Sequence, residues 1–192
     1  MLQAEALRAA LGNRLIGNRI IVLEEASSTN DVVWQMSTES AEGLVVFAER
    51  QTAGRGQHGN RWESASGKGL WFSILLRPQL TPEQSPRLTS WAAESIAQTL
   101  RDHYSLGAKV KSPNDVYVEG QKVAGVLLEM RAVPNSHLGI LGLGINVNQS
   151  AEDFPSGLRA KATSIAMLTG GQIDRHTLAV ALLSRLDETH AP

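Results

Sequence analysis

The chain predicts an α+β fold, and three observations carry the prediction. Apolar segments of strand length come in runs rather than alternating one by one with helices. Segments with helical periodicity fall at both ends and at two places between. The chain has 192 residues and is 42% hydrophobic, enough for one domain with a sizeable core, so residues 1–192 read as a single unit.

Leu2 to Leu11 has the spacing of a helix, and Arg19 to Glu24 that of a strand. Ser28-Thr29-Asn30-Asp31 opens a second helix carrying Val33, Trp34 and Met36, with Ser28 and Asp31 spaced as a capping box. Strands are expected at about 44–49 and 69–77, on either side of a glycine-rich loop. From Pro86 to Tyr104, Leu88, Trp91, Ala92, Ile96 and Leu100 recur at helical intervals. Short strands follow at 109–111 and 116–118, then a turn at Glu119-Gly120, then strands at 123–130 and 138–147. Asp174 is placed to cap a last helix through Leu178, Leu182 and Leu186. The polar segment 148–162 is expected to run over the surface and to border any site, and Thr189 to Pro192 end abruptly after the last helix.

Composition narrows the function. With no cysteine, there is no disulfide, thiolate metal site or cysteine nucleophile. A net charge of −1 argues against a nucleic-acid partner. No run reaches the ~20 apolar residues of a membrane span, and the start does not read as a signal peptide. These features fit a cytoplasmic protein. His103, His137, His176 and His190 show no metal spacing, and His58 reads as a loop residue.

The richest segment is Gln51-Thr52-Ala53-Gly54-Arg55-Gly56-Gln57-His58-Gly59-Asn60-Arg61-Trp62. Glycines let a backbone approach an anion closely, and arginines bring fixed positive charge. Gly54, Gly56 and Gly59 match the dinucleotide pattern G-x-G-x-x-G, but that pattern should open a helix. Here Ser64 to Gly69 is too rich in Gly and Ser for a helix, and a strand starts where the ribose-binding acid would be due. The Rossmann reading fails, and a P-loop signature is missing.

Four further segments carry chemistry: Ser27-Ser28-Thr29-Asn30, Lys111-Ser112-Pro113-Asn114-Asp115, Lys122-Val123-Ala124-Gly125-Val126-Leu127-Leu128-Glu129 and Gly142-Leu143-Gly144-Ile145-Asn146-Val147. With the glycine loop, and in this order, they resemble the catalytic domain of biotin protein ligases, from about residue 20 to about residue 165. The resemblance implies a fold like that of class II aminoacyl-tRNA synthetases, a central mixed and largely antiparallel sheet packed with helices. It also implies joining of biotin to ATP as biotinyl-AMP, then transfer of biotin to a lysine of a carrier protein.

On this resemblance Lys122 and Arg55 are catalytic, with Lys122 bridging the biotin carboxylate and the α-phosphate. Ser28, Thr29, Gln51, Gly54, Arg55, Gly125, Leu127 and Gly142 hold biotin. Arg55, Gln57, Trp62, Lys111, Asn114, Asp115, Lys122 and Asn146 hold the nucleotide, and Asp115 contacts its Mg²⁺. The loop 51–62 is expected to order over the intermediate, with Trp62 in the closed wall. Three positions depart from the family's pattern. Gln57 stands where arginine or lysine is common, Asn60 where arginine is often found, and Ser112 where tryptophan is common.

The implied partner is the biotin carboxyl carrier of acetyl-CoA carboxylase. About 18 residues precede the first strand, too few for a DNA-binding domain, and nothing in 165–192 resembles the small β-barrel that follows in many relatives. Homodimerisation through sheet edges stays open. Two alternatives stand beside this reading: a lipoate or octanoate ligase of the same superfamily, and a non-catalytic biotin or nucleotide binder. Plainer roles stand there as well. Ser28 can be a helix cap alone, Asn114-Asp115 a turn, Lys122 a solvated charge, and Gly142 and Gly144 relief of strand crowding.

Overall fold

The computed structural model describes residues 1–133 and 136–190; Ala191 and Pro192 of the expected abrupt end lie outside them. Two central strands dictate the layers. Strand β2 (Leu44–Gln51) is buried over its first six residues, and β3 (Gly69–Leu76) along its whole length. Strands apolar on both faces need cover on both sides.

Among the described residues seven strands form one sheet in the order β1-β2-β3-β7-β6-β5-β4. The remaining strands are β1 (Arg19–Ala26), β4 (Lys109–Lys111), β5 (Asp115–Val118), β6 (Gln121–Val133) and β7 (Ser136–Asn146). Strands β1 and β2 are parallel, joined by a crossover through helix α2 (Thr29–Met36), and all other neighbours are antiparallel. The sheet is thus mixed and largely antiparallel, as the resemblance implied.

Each face has its own core. On one, Val45, Phe47, Phe72, Ile74, Leu141, Leu143 and Ile145 point into a large apolar cluster. Helices α1 (Ala4–Leu11), α3 (Pro86–Tyr104) and α5 (Arg175–Thr189) cover it with Leu7, Leu88, Ile96, Leu100, Leu178 and Leu182. On the other face, α2 sets Val33 against Leu44, Val46, Leu75, Leu138 and Ile140. Being only eight residues long, α2 covers part of that face. The rest holds the candidate site.

One buried ion pair ties the first face together. Arg175 Nη1 lies 2.9 Å from Glu49 Oε2, Leu2 N donates to Glu49 Oε1 at 2.8 Å, and Arg175 also donates to the Gly69 carbonyl at 3.1 Å. Burial pushes the Glu49 carboxyl up, but the Arg175 and Leu2 hydrogen bonds outweigh it and hold the group below its ordinary value.

Several local expectations change. Strand β6 runs on to Val133, beyond Met130, because the charged Arg131 still pairs with Leu138 across the ladder. Helix α4 (Ile165–Thr169) is too short to show a period; Ser164 Oγ accepts from Met167 N at its start, and Gly170 ends it at φ 74°. Asp174 caps α5 as expected, accepting from His176 N and Thr177 N. Ser28 stands at the N-cap of α2, but its side chain makes no capping hydrogen bond. The Asp31 carboxylate, which the box would use, faces Arg55 instead.

Candidate active site

Sheet register creates the cavity. Ser73, Gly142 and Leu127 lie opposite one another on β3, β7 and β6. One step along, Trp71, Gly144, Gly125 and Asp115 form a second row across β3, β7, β6 and β5. Two adjacent glycines leave a trough in the side-chain layer, and the Trp62 ring lies in it. A Cβ on Gly144 would fall 2.5 Å from Trp62 Cε2, and one on Gly125 2.9 Å from Cζ3. Gly142 has a similar reason: a Cβ there would fall 2.5 Å from Asn30 Oδ1. These glycines are therefore required by close approach, more than by strand crowding.

The glycine loop folds back on itself. Trp62 N donates to the Gly54 carbonyl at 2.9 Å, and Gly56 N to that of Asn60 at 2.7 Å. A Cβ on Gly54 would meet the Trp62 carbonyl at 2.6 Å, so the return needs glycine.

The resulting cleft encloses about 460 Å³ of space between atoms, part of it open to solvent. Ser28, Thr29, Gln51, Arg55, Gln57, Trp62, Asn114, Lys122, Gly125, Leu127 and Gly142 line it, so the structure brings together eleven residues singled out from sequence. Four others lie off the lining. Gly54 sits behind it at the loop closure. Asp115 lies directly behind Lys122, its Oδ1 2.7 Å from Lys122 Nζ. Lys111 is exposed, its Nζ 5.2 Å from the centre of the Tyr117 ring. Asn146 is buried, donating to the Thr163 carbonyl at 3.0 Å and accepting from Gln149 at 3.2 Å, a bracing role.

The polar end of the cleft is a chain of hydrogen bonds. Thr29 N donates to Gln51 Oε1 at 2.8 Å. Thr29 Oγ1 and Ser73 Oγ lie 2.6 Å apart, and Ser73 Oγ donates to Asn30 Oδ1 at 2.5 Å. With Ser73 donating to Asn30, the one Thr29 hydroxyl hydrogen is shared between Ser73 Oγ at 2.6 Å and Gln51 Oε1 at 3.1 Å. Asn30 Nδ2 then donates to Glu129 Oε2 at 2.6 Å. Arg55 closes the chain: Nη2 reaches Glu129 Oε2 at 3.2 Å, while Nη1 and Nη2 bind Asp31 at 2.9 and 2.7 Å. The Arg55 hydrogen bonds hold the Asp31 carboxyl below its ordinary value, and Asp31 in turn pushes the Arg55 guanidinium up.

Sequence reading places Asn30 and Glu129 in chemistry-bearing segments without a role of their own, takes Asp31 only as a helix-cap partner, and does not single out Ser73. Ser73 left a signal, as the one hydroxyl in the otherwise apolar Leu70–Leu76, since a buried hydroxyl needs a partner.

Lys122 lines the same cleft, with Nζ 5.2 Å from the Trp62 ring centre. Its backbone is clamped by the polar segment that was expected to border the site: Lys122 N donates to the Lys161 carbonyl at 2.8 Å, and Thr163 N to that of Lys122 at 3.0 Å. Among the described residues no group of three or more His, Cys, Asp or Glu could hold a metal ion. Asp115 and Asn114 supply one carboxylate and one amide beside Lys122.

Comparison with known proteins agrees with this geometry. Residues 22–146 match the model of the biotin/lipoate A/B protein ligase family. The "Bifunctional ligase/repressor BirA" of Bacillus spizizenii is 36% identical over 176 residues, covering 91% of this chain and 54% of that protein. The "Biotin--[acetyl-CoA-carboxylase] ligase" of Mycobacterium tuberculosis is 30% identical over 97% of this chain and 73% of its own length. Among solved structures, the biotin protein ligase of Aquifex aeolicus in complex with biotin and ATP superposes with a TM-score of 0.76. It is 34% identical over 89% of this chain and 69% of that one. The chain thus spans about half the length of the Bacillus relative. By the match over 22–146 and these identities, the chain belongs to the biotin/lipoate A/B protein ligase family.

Proposed function

We propose that the chain is the catalytic domain of an ATP-dependent biotin protein ligase. The observation that carries the reading is one cleft lined by Thr29 and Gln51 with their hydrogen-bond chain, by Gly142, Leu127 and Trp62, and by Lys122 beside the Trp62 ring. A bicyclic urea with an apolar tail ending in a carboxylate matches that set: hydrogen-bonding groups, apolar trough, positive charge.

In the first step a biotin carboxylate oxygen bonds to the α-phosphorus of ATP, the bond to the bridging oxygen breaks, and pyrophosphate leaves. Two anions must meet, and Lys122 supplies the charge that offsets their repulsion and stabilises the transition state. Asp115 holds Lys122 Nζ in place. Arg55, expected as a second counter-charge, already faces two carboxylates. In the second step a carrier lysine nitrogen attacks the acyl carbon, AMP leaves, and the amine proton passes to water.

The donor set beside Lys122 fits a Mg²⁺ that arrives with the nucleotide, since this ion keeps waters and phosphate oxygens and needs few protein ligands. Bound there, Mg²⁺ would neutralise phosphate charge, with Asp115 and Asn114 as the protein oxygens at hand. Loop 51–62 orders over the adenylate and keeps water out. The carrier is the biotin carboxyl carrier of an acetyl-CoA carboxylase, in line with the name of the Mycobacterium relative.

ATP–pyrophosphate exchange with Mg²⁺ tests the reading, with biotin, lipoate and octanoate offered separately. Exchange with biotin alone supports it. Exchange with lipoate or octanoate instead moves the chain to the sister activity, and no exchange with any leaves a binder. Gln57 lines the cleft without charge, so Gln57→Arg is expected to slow biotinyl-AMP release roughly fivefold by one added attraction to phosphate. Rapid-mixing release kinetics check this, and an unchanged rate removes the loop's charge deficit as a factor.

A further inference from the structure

The glycine loop carries a cation that is already spoken for. Arg55 binds Asp31 through both terminal nitrogens, at 2.9 and 2.7 Å, in the two-pronged geometry that makes arginine–carboxylate pairs strong. The second nitrogen also reaches Glu129 Oε2 at 3.2 Å. Two carboxylates thus face one guanidinium, and the pair is about two-fifths exposed. A further positive group lies near: Arg131 stacks on the Trp34 ring at 3.8 Å and adds to the field on Asp31.

From this arrangement we infer that Arg55 is a latch holding the glycine loop to the body of the domain, with Asp31 and Glu129 as its positioning residues, rather than a counter-charge for the reacting phosphate. Asp31 stands in the first turn of α2, one residue from Asn30 and two from Thr29. Glu129 takes hydrogen bonds from Arg55 and from Asn30 at once. The same chain continues through Ser73 and Thr29 to Gln51, the polar end of the cleft. Groups that would meet the ligand's urea end are therefore linked, through five side chains, to the residue that pins the loop. The Arg55 backbone pairs with Arg61 in an isolated bridge, and Trp62 follows directly. Pinning Arg55 therefore also seats Trp62 in the Gly125–Gly144 trough.

The two roles predict opposite signs. If Arg55 were a counter-charge restrained by acids, neutralising Asp31 would free it and strengthen anion binding. If it is a latch, the same change loosens the loop and shortens retention of the intermediate. The inference rests on the ligase reading for its retention arm only.

The test uses Asp31→Asn and Glu129→Gln, which remove one charge each and keep shape. Release of labelled biotinyl-AMP is expected to quicken roughly fivefold in each, the scale of a partly exposed, two-pronged ion pair. Without ligand, trypsin is expected to cut after Arg61 faster by a similar factor. In an Arg55→Gln background Asp31→Asn should add nothing further, because the two act through one contact. Tighter ATP binding or slower release in Asp31→Asn overturns the latch, and so does unchanged tryptic cleavage. A wild-type chain that exchanges no pyrophosphate with biotin defeats the ligase reading. The tryptic comparison still decides the latch, equal rates overturning it and faster cutting of the variants supporting it.

Discussion

Lys122→Ala is expected to lower biotinyl-AMP formation by roughly 10²- to 10³-fold, the usual loss when one preorganised electrostatic donor is removed from a reacting anion. Among the described lining residues, Lys122 and Arg55 are the full cations, and Arg55 is matched by Asp31 and Glu129. The fold should survive. The Lys122 side chain is partly exposed, and its strand is held through the backbone by Lys161 and Thr163. Removing it does leave Asp115 without its counter-charge, a loss of about 1–3 kcal/mol, small against a typical 5–15 kcal/mol of stability. Single-turnover adenylation and a melting curve check both halves. Formation of biotinyl-AMP at the normal rate would remove Lys122 from the mechanism.

Glu49→Ala should be strongly damaging to the fold. The Glu49 side chain is 6% exposed and that of Arg175 13%, and truncating one leaves the other's charge buried without compensation. Leu2 N loses its acceptor as well. Breaking such a pair removes about 3–5 kcal/mol. For a domain of this size that is a fall in Tm of roughly 10 °C. Acid should do the same by protonation. The folded Glu49 carboxyl lies below its ordinary value of 4.5, so its contribution is complete above pH 4.5 and is lost as the pH falls through the lower folded value. Melting curves of the wild type and Glu49→Ala from pH 7 downward should therefore converge as the acid range below 4.5 is entered. Curves that stay parallel would show that the pair is not the source.

The strands and long helices were legible because their signals are local. Val45, Phe47, Phe72 and Ile74 belong to strands whether or not their neighbours are known, and Leu88 to Leu100 show a helical period without reference to β6. Five-residue α4 was not legible, since one turn leaves no period to read. The site divides in the same way. Gly54, Arg55, Trp62, Lys122 and Gly125 stand in compact motifs, whereas Ser73 is an ordinary strand residue, and Asn30 and Glu129 have no role of their own, until the sheet assembles.

By itself, then, the sequence determined the α+β class, the family's motifs and most of the cleft's lining, because these depend on backbone needs and side-chain types within a few positions. Tertiary structure alone decided how those residues are used. Asn30 and Glu129 are 99 positions apart yet lie 2.6 Å from each other, and Arg55 meets Asp31 across 24. The physical reason is the strand order. Placing β7 between β3 and β6 sets Gly142 beside Ser73 and Gly144 beside Gly125, and no local periodicity encodes which strands become neighbours.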